Sequence, residues 1–464
     1  MKKILFFLVC LIGIIQTAFS QCVTQQLGPD NFNGSGEALY TDIATDQNGV
    51  PYVVYADSLA NWKATVMKYN GSSWFAVGAP GFSAGGVAWT SIAIDGNNVP
   101  YVVYQDSTKG NAATVMKFNG SAWITVGSAG FTPEEADYTI IAIDQNNTPY
   151  IVYADTLNNN DWVTVMKYTG SSWSAVGKTR FGNLYNITFF YHSLDMAIDS
   201  NGIPYVVYSD AGNGNAATVM TFNGSNWTAV GIAGFSAGAV NYTSIAINPI
   251  NNMPYVIYSD HTYGWQATVM QFDGNIWTTL GAAGFSGGIV NWGVGIVDTD
   301  IEIDKTGTPY VIYTDSTANW ESTVMTYNGN SWIKLTIPAV PNYDRSNSIA
   351  IDNTNIPYVG FSHRGSYAYK LCNDNTSTLG TITNIPQNKT LIHLYPNPNN
   401  GSFSVELNTD AQISITNTLG QVVLTEFLSV GKHDLDLQSQ TPGIYLLQAD
   451  MGGNTQSLKI IKSN

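Results

Sequence analysis

The 464-residue chain reads as an all-β protein, a seven-bladed β-propeller followed by a small C-terminal β-sandwich. Three observations predict this. A Pro-Tyr pair recurs seven times, from Pro51-Tyr52 to Pro357-Tyr358, at spacings of 49, 49, 55, 50, 55 and 48 residues. Each pair sits in a unit that parses as four short strands separated by turn residues. No segment sustains the apolar period of a helix. Isolated four-stranded meanders could not bury both faces, so the repeats must stack blade on blade around a ring.

The second unit shows the elements in order. Ser91 to Asp95 is a first strand, and Gly96-Asn97-Asn98 turns it. Pro100 opens the second strand, where a first residue need not donate to the ladder. The third strand is the Thr-Val-Met-Lys-Phe run. Asn119-Gly120 reads as a two-residue hairpin turn with both residues at positive φ, and the fourth strand surrounds Trp123. Trp74, Trp123, Trp173, Trp227, Trp277 and Trp332 share one strand-four position, and Met67, Met116, Met166, Met220, Met270 and Met325 one strand-three position. One residue type at one repeat position predicts packing between blades, in preference to a ligand surface. The seventh unit has three strands only. Val23 to Gly28, followed by Asn31-Phe32, matches the fourth-strand pattern Trp74 to Gly78 followed by Gly81-Phe82, so the N-terminal strand is expected to complete the last blade.

Composition excludes some functions. Lys and Arg total 18 against 33 Asp and Glu, a net charge of −15, and only 11% of residues are charged. Nucleic acid and anionic membrane surfaces need clustered cations, so neither is a partner. Lys2 and Lys3 precede an apolar run from Ile4 to Ile15, and Ala18-Phe19-Ser20 supplies small residues before Gln21. Residues 1–20 therefore read as a signal peptide, and the mature chain, two lysines poorer, carries −17. The run is too short for a spanning helix, and no later stretch is long and apolar enough, so no transmembrane segment is expected in the mature chain. Cys22 and Cys372 then remain, an even count that in an exported protein reads as one disulfide. Aligned to the first blade they take the places of Ser72 and Asn70, which flank one hairpin turn.

The propeller is expected over residues 21–373 and an Asn-, Thr- and Ser-rich linker over 374–390. The text then changes. Tyr395-Pro396-Asn397-Pro398, Gly401-Ser402-Phe403, Leu419-Gly420, Pro442-Gly443 leading to Tyr445, and the closing Lys459 and Lys462 lie among alternating apolar strands. This block, residues 391–464, resembles the type A sorting domain of the type IX secretion system. The resemblance implies a Gram-negative producer, export across the outer membrane by the type IX machinery, and a secreted or surface-attached product, with lipopolysaccharide as an anchor. In outline the propeller is similar to kelch- or lectin-like repeats. It lacks the sialidase Asp-box, since Asp46-Gln47-Asn48-Gly49 places Gly one residue late.

Loops carry function on a repeated scaffold. Two sets open on one propeller face. The fourth-to-first connections carry Tyr40, Trp89, Tyr138, Tyr242 and Trp292; the second-to-third connections carry Trp62, Tyr263, Trp265 and Trp320. The same loops carry repeated Asp residues, Asn and Ser. Aromatic faces beside uncharged donors and carboxylates suit sugar rings, so Trp62, Trp89, Tyr138, Tyr242, Tyr263, Trp265, Trp292 and Trp320 are the expected ligand-binding residues; packing of the loops is the competing reading. Asp42, Asp195 and Asp300 share one position early in strand one, which lines the channel. Three carboxylates there suit Ca²⁺, against backbone hydrogen bonding; no other cofactor is expected.

The functional expectation is a secreted or surface protein for binding or adhesion, with glycans as the ligand. The alternative is a propeller-type polysaccharide hydrolase or lyase. For that, Arg180, Tyr185, Tyr191 and His192 in the loop from Lys178 to Leu194, with Arg345, His363 and Arg364, are where the repeat breaks. No nucleophile elbow, zinc motif or phosphate loop is present, and no catalytic residue is assigned. Asp57-Ser58-Leu59, Asp106-Ser107-Thr108, Asp155-Thr156-Leu157 and Asp315-Ser316-Thr317 also resemble an O-glycosylation acceptor, or else a repeated capping turn.

Overall fold

The computed structural model describes residues 24–29, 31–34, 36–157, 160–184, 193–290, 299–337, 346–362, 366–371, 392–395, 399–407, 409–417, 421–450 and 455–463. The signal peptide, the linker and both mature cysteines lie outside them. The chain divides into two compact units, residues 1–373 and 374–464.

The first unit is a ring of seven antiparallel sheets. Blade 1 comprises Ala38–Thr45, Pro51–Asp57, Lys63–Tyr69 and Trp74–Ala76, and its order repeats through blade 6, which ends at Trp332–Leu335. Strand two is buried along its whole length in most blades, as the middle of a stack should be. Blade 7 takes its fourth strand, Gln25–Gln26, from the N-terminus: Gln25 pairs with Lys370 and Gln26 with Tyr369. Strands from both ends of the unit thus share one sheet and close the ring.

The tryptophan stripe joins the blades. Each indole N–H donates to a carbonyl of the preceding blade at 2.6–2.8 Å, as Trp123 does to Val77 and Trp227 to Val176. Each ring also stacks on a phenylalanine of that blade, with centroids 4.0–4.7 Å apart. The glycine after each acceptor, Gly78 for example, has positive φ and leaves room where a Cβ would stand 3.1 Å from the Trp123 ring. The methionines pack into the same inter-blade cores. At the seventh junction Thr24 takes the tryptophan's place and donates to the Thr336 carbonyl at 2.8 Å.

One expectation of local geometry is corrected. Only Gly71, not Asn70, has positive φ in the strand-three to strand-four hairpin. Asn70 N–H bonds Ser73 O, so the two central residues are Gly71 and Ser72. The Asn70 side chain accepts from the N–H groups of Ser72 and Ser73, which is why Asn precedes Gly.

The second unit is a sandwich of a three-stranded sheet (Ile392–Tyr395, Ser402–Leu407, Gly431–Asp436) on a four-stranded one (Val422–Leu428, Ala411–Asn417, Gly443–Asp450, Thr455–Lys462). Val405, Ile413, Ile415, Leu447 and Ile460 are fully buried between them. Several motif residues are structural here. The Tyr445 hydroxyl donates to the Thr441 carbonyl at 2.6 Å. Lys462 is buried, bridges Asn399, and its Cε would lie 2.9 Å from a Cβ on Gly401. Tyr395 is exposed beneath the Lys432 ammonium. Pro396, Asn397, Pro398 and Gly420 lie outside the described residues.

Candidate functional site

The loop face is built by one repeated device. Asp57 ends strand two and caps a single 3-10 turn, Ser58–Ala60: one carboxylate oxygen accepts from Leu59 N–H at 2.9 Å, the other from the Thr65 hydroxyl at 3.0 Å. Thr65 in turn accepts from Gly81 N–H at 2.9 Å, pinning the next inter-blade loop. The relay recurs at Asp106-Thr114-Gly130, Asp210-Thr218-Gly234 and Asp260-Thr268-Gly284. Asp57-Ser58, Asp106-Ser107 and Asp315-Ser316 are thus capping pairs, whereas Asp155-Thr156 lies within strand two of blade 3. In blade 3 the place of the glycine is taken by Arg180, whose guanidinium pairs with Asp155 at 2.7 Å.

Immediately after the turn the chain passes through a residue in the left-handed region. That residue is Trp62 (φ 59°), Asn111 (65°), Asn215 (64°), Trp265 (66°) or Trp320 (63°). Its backbone work is the same whichever side chain is present. Its N–H bonds the capping Asp carbonyl, at 2.7 Å for Trp62 and 3.0 Å for Asn111. Its carbonyl accepts from the next blade, at 2.8 Å from Val87 and 3.0 Å from Ala136. Asn tolerates this conformation and a bulky ring does not. Trp62 is 37% exposed, Trp265 and Trp320 are half-buried, and among the described residues none of the three joins an apolar core cluster. Tyr263 is 45% exposed on the same loop as Trp265, whose ring meets His261 edge-on.

The other set of expected ligand aromatics is placed differently. Tyr40, Trp89, Tyr138 and Tyr242 lie at bulges within strand one, all at φ 51–55°. The bulge turns a carbonyl sideways to the next blade, where Thr90, Thr139 and Thr299 hydroxyls bond those of Tyr40, Trp89 and Tyr242. Here architecture explains the strain. Tyr138 and Tyr242 are buried, 3% and 2% exposed, and Trp89 is held between the rings of Tyr40 and Tyr138. Packing claims these side chains. Trp292, Tyr185, Tyr191, His192, Arg345, His363 and Arg364 lie outside the described residues.

Strand one lines a central channel of about 480 Å³. Asp42, Asp195 and Asp300 are spread around it and reach to the following blade. Asp42 accepts from Ile92 N–H at 2.8 Å, Asp195 from Ile245 N–H at 2.9 Å and Asp300 from Ile349 N–H at 2.8 Å. Ser348 donates to Asp42, and the Ser244 hydroxyl lies within hydrogen-bond distance of both Asp195, at 2.8 Å, and Asp300, at 3.0 Å. These bonds occupy the oxygens that a calcium ion would need. Among the described residues no group of three or more His, Cys, Asp or Glu is placed to hold a metal ion. Burial raises the Asp42 carboxyl, and burial with the neighbouring Asp195 raises Asp300 well above the usual range.

Two carboxylates escaped sequence reasoning. Glu302 stands in the channel where the six other blades carry Ala44, Ala93, Ala142, Ala197, Ala246 and Ala350, and desolvation lifts it to about 7. Asp137 accepts from the Trp89 indole at 3.2 Å and the Gln105 amide at 2.5 Å, and burial beside Glu135 lifts it to about 6. Glu302 departs from the repeat's alanine, and that departure was the available signal; the place of Asp137 is held by Leu39, Ala88 and Asn241 in other blades, so the repeat offered none there.

Residues 393–463 match the family of secretion system C-terminal sorting domains. They direct the chain to the type IX route and to the cell surface or exterior. Among the described residues no helix is long and apolar enough to cross a membrane. No curated protein matches the chain. Among solved structures the chain is similar to PorZ, an essential bacterial surface component of the type IX secretion system of Porphyromonas gingivalis, at 13% identity and TM-score 0.45. That match covers 92% of this chain and 59% of PorZ. It is also similar to a mutant Aleuria aurantia lectin in complex with Fucα1-6GlcNAc, at 13% identity and TM-score 0.47, covering 66% and 97%. A fungal alcohol oxidase of the AA5 family in complex with copper matches at 11% identity and TM-score 0.46, covering 95% and 100%.

Proposed function

We propose that the propeller binds glycans outside the cell, through the loop face, with Trp62, Trp265 and Trp320 as the stacking platforms and Tyr263 beside them. One observation carries this reading. Three blades place Trp in a left-handed backbone position where two others do the same backbone work with Asn. Holding a bulky residue there costs on the order of 1 kcal/mol, and among the described residues none of the three rings belongs to an apolar core cluster. An indole with an open face beside Asn, Ser and Thr side chains suits the apolar face and hydroxyl rim of a sugar. A large aromatic area with a polar tip also recurs at recognition surfaces generally.

The enzyme alternative draws less support. Arg180 is committed to Asp155, and Asp137 to Trp89 and Gln105. A glycan array probed with the full mature chain tests the proposal. Binding to a coherent class of saccharides is expected. A silent array, from protein that melts cooperatively, would remove the reading.

A further inference from the structure

We infer that the ligand is an extended, neutral polysaccharide chain lying along an arc of the loop face over blades 5, 6, 7 and 1. This deepens the glycan reading and rests on it. The argument begins with where the platforms are. Trp265 belongs to blade 5, Trp320 to blade 6 and Trp62 to blade 1, and the ring order makes blades 5, 6, 7 and 1 consecutive. Blades 2 and 4, on the other side, carry Asn111 and Asn215 at that position. In blade 3 the second and third strands run on to Leu157 and from Asn160, and no 3-10 turn lies among its described residues.

Two of the three platform blades also expose an apolar side chain on the turn, while blade 6 carries Ser316-Thr317-Ala318. Blade 1 exposes Leu59 (63%) and blade 5 exposes Tyr263 (45%), whereas the matching turns of blades 2 and 4 read Ser107-Thr108-Lys109 and Ala211-Gly212-Asn213. Leu59 and Tyr263 thus add apolar exposure at the two ends of the arc, in blades 1 and 5.

Spacing then selects the ligand. Packed sheets stand roughly 10 Å apart, so platforms on neighbouring blades are at least about that far from each other. One sugar ring cannot touch two of them, while a chain of several can. A chain also gains effective concentration at each successive platform, the gain that linked sites provide without new contacts. The acidic protein, with 18 cations to 33 anions, disfavours an anionic polymer.

The test uses the full mature chain and soluble ladders from monosaccharide to long oligomer of cellulose, laminarin, mannan and xylan, read by isothermal titration. On at least one ladder, affinity should climb roughly 100-fold with length and then level off. Each of Trp62→Asn, Trp265→Asn and Trp320→Asn should lower the affinity of the long oligomers. Equal affinity per site for monomer and long oligomer, at several independent sites, overturns the extended chain and leaves glycan binding standing. Silence on every ladder together with array hits on other saccharides does the same. Silence on the ladders and the array removes both.

Discussion

Glu302 shows how one residue can set a property of the whole channel. The repeat's own choice at its position is alanine, and the carboxyl sits among Asp42, Asp195 and Asp300 in a confined space. Burial is the first cause of its rise to about 7; Asp195 and Asp42 add repulsion. A raised carboxyl means the folded state holds the proton more tightly than the unfolded chain. Its contribution is thus complete below about pH 4.5, its ordinary value, and is lost as pH climbs through about 7. Glu302→Gln should therefore flatten the fall in thermal stability across that window. At the alkaline end Tm should rise by roughly 2–4 °C for each kcal/mol recovered. Melting curves at several pH values check this, and an unchanged pH profile would show that the channel is wet enough to solvate the charge. Alignment of the repeat displays Glu302 as an exception. It does not display that strand one turns this position into the channel, because that depends on how seven sheets close.

At the scale of elements, the strand-four tryptophan is the joint between blades. Trp227→Phe keeps the ring and the stack on Phe181 but removes the donor to the Val176 carbonyl. Leaving that buried acceptor unmade should cost about 1–3 kcal/mol. Trp227→Ala should cost about 3–5 kcal/mol, the range for emptying an aromatic site. Urea denaturation separates the two; equal losses would mean that the hydrogen bond contributes nothing. This joint was legible in the sequence, because one aromatic at one position in six repeats has a shared cause. So were the strand count, the Asp turns and the borrowed N-terminal strand. The strand-one bulges were not. Tyr40, Trp89, Tyr138 and Tyr242 look like loop residues in the text, and only pairing with strand two shows an extra residue that tucks Tyr138 and Tyr242 inward. The αL tryptophans were legible as aromatics on loops. Their left-handed backbone, which they share with the bulge residues, and their greater exposure, which sets them apart from the buried Tyr138 and Tyr242, appear only in the structure.

For the whole molecule, closure of the ring rests on a two-residue strand and on Thr24 where the other junctions have Trp. We propose that Cys22 and Cys372, outside the described residues, bridge this junction. The pairing of Gln25 with Lys370 continues in register toward the places of Ser72 and Asn70, whose side-chain oxygens are 3.0 Å apart in blade 1, as are those of Ser121 and Asn119 in blade 2. Thiol titration of the secreted protein under denaturant should find no free cysteine, and reduction should lower Tm. Two free thiols would contradict the pairing.

The sorting domain sets where all this operates. Removal of residues 391–464 should leave the propeller in the periplasm, checked by fractionation. Once outside, the propeller's task falls to the loop face, and the most direct measurement of that is a single variant. Trp62→Asn, Trp265→Asn and Trp320→Asn combined give three blades the residue that Asn111 and Asn215 already supply at the same backbone angles. Calorimetry and saccharide titration are run on the same preparation. If the tryptophans are there for the ligand, Tm stays level or rises while binding is lost. A variant that melts many degrees lower, or one that binds as the parent does, would contradict the central claim.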